Sequence, residues 1–248
     1  GRAKASLKRQ FLKRVLIECM SIEIENPAHH RYLNILAVFC ELNKEFVIDE
    51  IPQYFSSILE KNDKETFTKF CEILNGIPDL YQCLNETHRI CLSEYILRDA
   101  PVYIVAALDQ ISELSGTIFK RIKSFENKQL LEFIMEYPLE NPISQNLEYS
   151  INRLIDSFKN ARGYREAESC LRDILYFTSR LKKDDLKRIV EATLENVQIS
   201  GAYGIGEMYL QLFENIDLSI IDRSTYEQLK DLDFYEDVLK VIAKKSEK

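Results

Sequence analysis

Apolar residues recur along this chain at three- and four-residue intervals, the period a helix with one buried face requires. The clearest stretch is the first. Leu7, Phe11, Leu12, Val15, Leu16, Cys19 and Met20 are expected on one core-facing stripe, with Lys8, Arg9, Lys13 and Arg14 opposite. Turn formers and strand breakers are scarce, seven Gly and six Pro in 248 residues, so a β-fold with its many tight turns has little support. With 46% hydrophobic and 29% charged residues the composition is that of a folded protein. The length is enough to bury one large core or two smaller ones.

Punctuation places the helices. Pro27 ends the first, and a second is expected over about 29–42 with Leu33, Leu36, Ala37 and Cys40 inward. A third, over 49–61, would put Pro52 in its first turn, where the missing N–H costs no internal bond. Asn62 is the expected cap of a helix through Phe67, Phe70, Cys71 and Leu74 that closes at Asn75-Gly76. Pro78 begins a short helix, Asn85 caps one running to Arg98, and Pro101 starts an apolar helix ending at Ser115-Gly116. Further helices are expected over 117–125, 128–137, 143–160, 165–181, 184–197 and 202–215, with two or three more through Tyr226, Phe234 and Val238.

Connections this short force sequential helices to lie antiparallel and adjacent, which predicts an all-α chain of helical hairpins. The hairpins can stack as an irregular α-solenoid or wrap into a compact multi-helix bundle, and their even spacing favours the solenoid. One domain over 1–248 is expected, with Glu140-Asn141-Pro142 the place where it would subdivide. The best-formed hairpin runs from Leu186 to Phe213. Its first stripe is Leu186, Ile189, Val190, Thr193, Leu194 and Val197, Ser200-Gly201 breaks the helix, and Tyr209, Leu210, Leu212 and Phe213 return. In this architecture the chain resembles the HEAT and armadillo class of helical repeats. It carries no repeated Asp/Arg signature, no fixed period and no small-residue pattern of tetratricopeptide type. The resemblance implies irregular repeats with a concave surface for a protein, a peptide or nucleic acid.

The motifs that would carry chemistry fail on context. Gly201-Ala202-Tyr203-Gly204-Ile205-Gly206 lacks both the order of a dinucleotide fingerprint and the Gly-Lys-Ser/Thr of a P-loop, and reads as a helix stop with close packing. Cys83, His88 and Cys91 are three ligands at most, short of a structural zinc set, and read as core thiols with a neighbouring His. His29-His30 is expected at a helix start near an exposed turn, able to titrate near neutrality. No His has a Glu three residues before it, as a helical di-metal site requires, and no Ser lies in a G-x-S-x-G elbow. Asp184-Asp185 suits a helix N-terminus better than a magnesium site. The expectation is no catalytic site, no metal and no cofactor.

Charge carries more information. The formal net charge of −7 works against polyanions and anionic membranes, and the longest apolar runs, such as Val102 to Leu108, are far short of a bilayer span. Residues 1–31 hold seven Lys/Arg against three Asp/Glu, residues 153–188 ten against six, and residues 203–239 two against nine. Partner-binding residues are expected at Lys120, Arg121, Lys123, Arg162, Tyr164, Arg165 and Tyr203, where cations and aromatics cluster. The leading expectation is a non-catalytic protein-interaction or scaffolding module. Its rivals are a nucleic-acid-binding solenoid using segments 118–128 and 153–188, and a regulatory or sensor segment attached to an enzyme domain. Six cysteines in helical patterns point to a reducing, cytoplasmic setting. Asn85-Glu86-Thr87 matches a glycosylation acceptor, but Asn85 reads better as a cap. Gly1-Arg2-Ala3-Lys4 leads into a charged helix rather than a signal core, and is read as a processed end or the boundary of a longer chain.

Overall fold

A computed structural model of the chain describes residues 2–60, 63–196, 203–216, 221–230, 236, 237, 240 and 241. All regular structure among them is helical. The helices are α1 (Arg2–Ser21), α2 (Pro27–Leu42), α3 (Lys44–Leu59), α4 (Lys64–Gly76), α5 (Glu86–Arg98), α6 (Val102–Leu108) and α7 (Ser115–Lys123). They continue as α8 (Asn127–Glu136), α9 (Gln145–Lys159), α10 (Tyr164–Tyr176), α11 (Lys183–Glu195), α12 (Tyr203–Asn215) and α13 (Arg223–Leu229). Tight 3₁₀ turns fill Pro78–Cys83, Ser112–Leu114 and Thr178–Arg180.

Side-chain caps fix several starts by satisfying N–H groups that the first turn leaves over. Asn26 accepts from Ala28 N (2.9 Å), Asp63 from Thr66 N (2.8 Å), Asn85 from His88 N (2.8 Å) and Asp222 from Thr225 N (2.7 Å). Asp184 and Asp185 lie in the first turn of α11, where the helix dipole favours them, and Asp185 accepts from Lys182 N at 2.8 Å.

Several local expectations need correction. The cap of α4 is Asp63 rather than Asn62, because Asp63 has the extended backbone a cap needs and its carboxylate also takes the Thr66 hydroxyl (2.8 Å). The third helix starts at Lys44, so Pro52 lies in its interior rather than its first turn. Ser115 and Gly116 do not stop a helix but open α7, since the apolar helix already ends at Leu108. A side chain at Gly116 would meet nothing within 4 Å, so nothing in the packing demands a glycine there. His29 is no surface group: it is fully buried in α2. On α1, Leu12, Val15, Leu16 and Cys19 are core, but Leu7 and Phe11 are 66% and 43% exposed, and Leu33 and Ala37 on α2 are only half-buried. Val197, Ser200, Gly201, Phe234 and Val238 lie outside the described residues.

The chain forms two compact units, each with its own core. The first comprises 1–124 and 136–146, and the second 125–135 and 147–248, so Glu140-Asn141-Pro142 belongs with the first. In the first unit α4 is the hub, packing on α1, α2, α3, α5 and α6, and accordingly it buries residues on most sides, Phe67, Phe70, Cys71, Ile73 and Leu74 among them. In the second, α10 packs on α12 and α11 on α13, around Leu171, Ile174, Ile189 and Phe213. Tyr209 is sealed there, its hydroxyl donating to Ile189 O (2.9 Å) and sharing a hydrogen bond with Thr193. Burial drives its phenol well above the ordinary value.

Polar bonds between elements recur at a narrow range of sequence separations. In the first unit Lys44–Asp79, Asn75–Gln110 and Asp109–Ser144 are each 35 residues apart. In the second, Glu148–Lys182, Ala161–Asn196 and Glu191–Gln228 are 34, 35 and 37 apart. Others fall outside that range, as at Gln82–Glu113 (31) and Arg9–Glu50 (41). Two helices of 13 residues, the length of α4, α5, α10 and α11, with two short connections make about 35 residues, the separation that these bonds span.

Candidate binding surface

The cations singled out by sequence divide between the units. Lys120, Arg121 and Lys123 form the last turn of α7, where positive charge complements the helix C-terminus. Arg121 donates to Leu97 O at the end of α5 (3.1 Å), and the Lys123 ammonium stands 4.6 Å from the Phe119 ring centre. Lys120 is exposed. In the second unit Arg162, Tyr164 and Arg165 sit together at the start of α10, all exposed. Arg162 N donates to Glu166 (2.7 Å), closing the helix start, Arg165 Nε donates to the Tyr164 hydroxyl (3.1 Å), and Tyr164 is 53% exposed. Tyr203 is the first residue of α12, and its side chain lies outside the description.

The basic stretch 153–188 is largely engaged with carboxylates. Lys159 pairs with Glu195 (3.0 Å), Arg172 with Glu168 (2.7 Å), Lys183 with Asp222 (3.1 Å), Lys187 with Glu191 (3.9 Å) and Arg188 with Asp156 (2.7 Å). Lys182 pairs with Glu148, which raises the lysine above its ordinary value. Six of its ten cations thus have an acid beside them, which lowers the field the stretch presents to a polyanion.

The former metal and thiol candidates have ordinary surroundings. Cys83, His88 and Cys91 are half-buried, and among the described residues no group of three His, Cys, Asp or Glu is placed to hold a metal ion. All six thiols are free. Burial pushes Cys19 and Cys40 up to about 12 and Cys170 to about 11, so they are protonated and unreactive at neutral pH. Among the described residues no helix is long and apolar enough to cross a membrane.

The feature sequence reasoning missed is apolar. Leu7 and Phe11 on α1, and Ile35, Val38 and Leu42 on α2, are all exposed, Leu42 at 76%. The two helices pack on each other, with the Phe11 and Phe39 rings 4.9 Å apart. Phe39 meets Phe46 of α3 edge-on at 6.4 Å, and Lys8 caps that ring at 5.5 Å. Beside Val38 an apolar groove of about 450 Å³ runs between α2, α3 and the 76–80 turn, floored by Val47, Ile77 and Leu80 and crossed at its rim by the Lys44–Asp79 pair (2.8 Å). The available signal was the width of the α1 stripe: seven apolar residues from Leu7 to Met20 span more of the helix circumference than one contact can bury.

Comparison with known proteins finds no family model, no curated protein and no solved structure that matches this chain.

Proposed function

We propose that this chain is a non-catalytic protein-interaction module, in which stacked helical hairpins of HEAT-like, α-solenoid type present exposed helix faces to another protein. One observation carries the reading: the exposed apolar side chains of α1 and α2 gather on one hairpin instead of being scattered singly. Contiguous exposed apolar surface marks interaction sites, whereas isolated apolar residues carry no such meaning. The recurrence of inter-element bonds at 34–37 residues supports a repeated hairpin as the unit. The ion-paired condition of 153–188 weighs against the nucleic-acid alternative. Six free thiols suit a reducing, cytoplasmic setting.

Tagged protein isolated from its native cells is the test. A protein should co-purify, and the pair should re-form from purified components with saturable binding. Finding no protein partner while the isolated chain turns over a metabolite would reverse the reading.

A further inference from the structure

The geometry points to an acidic amphipathic helix of a partner protein as the occupant of the outward α1–α2 face. This deepens the interaction reading above and rests on it. The floor of the face is two packed helices. Leu7 and Phe11 are one turn apart on α1, and Ile35 and Leu42 two turns apart on α2. Such rows present the ridges and groove that a third helix packs against at about 8–10 Å. Its anchors would be apolar residues spaced three and four apart, the usual reading frame for a helix held in a groove.

Charge decides what surrounds those anchors. Among its titratable side chains α1 has a single carboxylate, Glu18, against Lys4, Lys8, Lys13 and Arg14, all but the half-buried Lys8 exposed, and Arg9, which Glu50 holds by two bonds of 2.7 and 2.5 Å. Arg31 adds an exposed cation on α2. Among the described residues Lys4, Lys13, Arg14 and Arg31 stand in no ion pair, in contrast to the cations of 153–188. An apolar floor rimmed by unanswered cations selects a helix whose polar flanks carry Glu and Asp.

The same charges disfavour two other occupants. A second copy joined face to face about a two-fold axis would set these cations against their own kind. Glu41 is the only carboxylate on α2, whereas an anionic bilayer, a plane wider than one helix, would also reach the exposed Glu45 and Asp49 of α3 beside Ile48.

The test is selection of displayed amphipathic helices, with apolar residues fixed at i, i+3, i+4 and i+7 and the polar flanks randomised among Glu, Gln and Lys. The full chain is the bait. Helices rich in Glu should be enriched over those rich in Lys, and their affinity should fall at least tenfold with Leu42→Glu and with Lys8→Glu/Arg14→Glu. Far-UV circular dichroism and urea midpoints of these surface variants should match the wild type. Enrichment indifferent to charge, a preference for Lys, or no enrichment at all overturns the proposal. So does self-association in sedimentation equilibrium that Leu42→Glu abolishes, or binding to phosphatidylcholine/phosphatidylserine vesicles in place of the helices. Selected helices or cellular partners that bind regardless of both variants overturn this face alone and leave the interaction module standing.

Discussion

Among the described residues, His29 and Asp109 are buried side chains whose shifted titration makes stability depend on pH. His29 is fully buried and neither ring nitrogen finds a hydrogen-bond partner among the described residues. Burial first, and then the neighbouring His30 and Lys69, push its pKa below 6.5. A His with a depressed folded pKa contributes stability that is complete above 6.5 and is lost as pH falls toward the folded value. His29→Leu, which keeps an apolar body of similar size, should leave urea stability at pH 7.5 within about 1.5 kcal/mol. Between pH 7.5 and 5 the wild type should lose more stability than the variant; parallel losses would refute the assignment. Asp109 works with the opposite sign. Burial raises its carboxyl from 3.8, while Asn146 Nδ2 (2.6 Å) and the Ser144 hydroxyl, which donate to it, hold it back. Its stabilising contribution is complete below 3.8 and lost as pH rises through the raised value. Asp109→Asn keeps the shape and an acceptor, so it should flatten the pH dependence in that window. Asp109→Ala withdraws an acceptor from buried Asn146 and from half-buried Ser144 and should cost about 1–3 kcal/mol at neutral pH, read from urea midpoints.

Among the helices, α3 and α5 show how far local sequence decides an element. Asn85 has the extended backbone of a cap and takes the His88 N–H at 2.8 Å, so Asn85→Ala should lower thermal or urea stability by about 1 kcal/mol. Pro52 interrupts the ladder of α3, where it can offer no N–H to the carbonyl four residues earlier. Pro52→Ala should therefore stabilise the protein, by up to about 3 kcal/mol, and an unchanged midpoint would mean that the helix has already relaxed around the ring. The helices themselves were legible, because a 3.6-residue period and a cap such as Asn85 are local properties. Which apolar residues stay outside was not. The period that places Leu12 and Leu16 in the core is equally satisfied by Leu7 and Phe11, and only the packed positions of α2 and α4 separate the two sets. The 35-residue spacing escaped notice for a related reason. The bonded pairs are Lys and Asp, Asn and Gln, and Asp and Ser, so no shared residue type marks the spacing in the sequence. The basic cluster was visible only as charge. The partners that engage it sit elsewhere, as Leu97 does for Arg121, 24 residues away, and as Asp222 does for Lys183.

At the scale of the molecule, the division into units makes a prediction about where the chain can be cut. The first unit is discontinuous, taking 1–124 together with 136–146 while 125–135 belongs to the second. Polar bonds are among the ties of 136–146 to the first unit. Ser144 and Asn146 close on Asp109, Asn146 also donates to Ser115 O (3.1 Å), and within the segment Tyr137 donates to Pro142 O (3.0 Å). A fragment ending at 124 thus leaves the Asp109 carboxylate with neither of these donors, whereas one ending at 146 retains both at the cost of exposing Leu130, Phe133 and Ile134 of α8. Removing donors from a buried charge costs more than removing a neutral bond, so fragment 1–146 should be the more stable in urea at pH 7. Introducing Asp109→Asn into both fragments should narrow the gap, because a neutral amide tolerates the loss of Ser144 and Asn146 better than an ion does. A gap that Asp109→Asn leaves unchanged would place the origin of the difference in apolar packing of Tyr137 and its neighbours rather than in the Asp109 cluster.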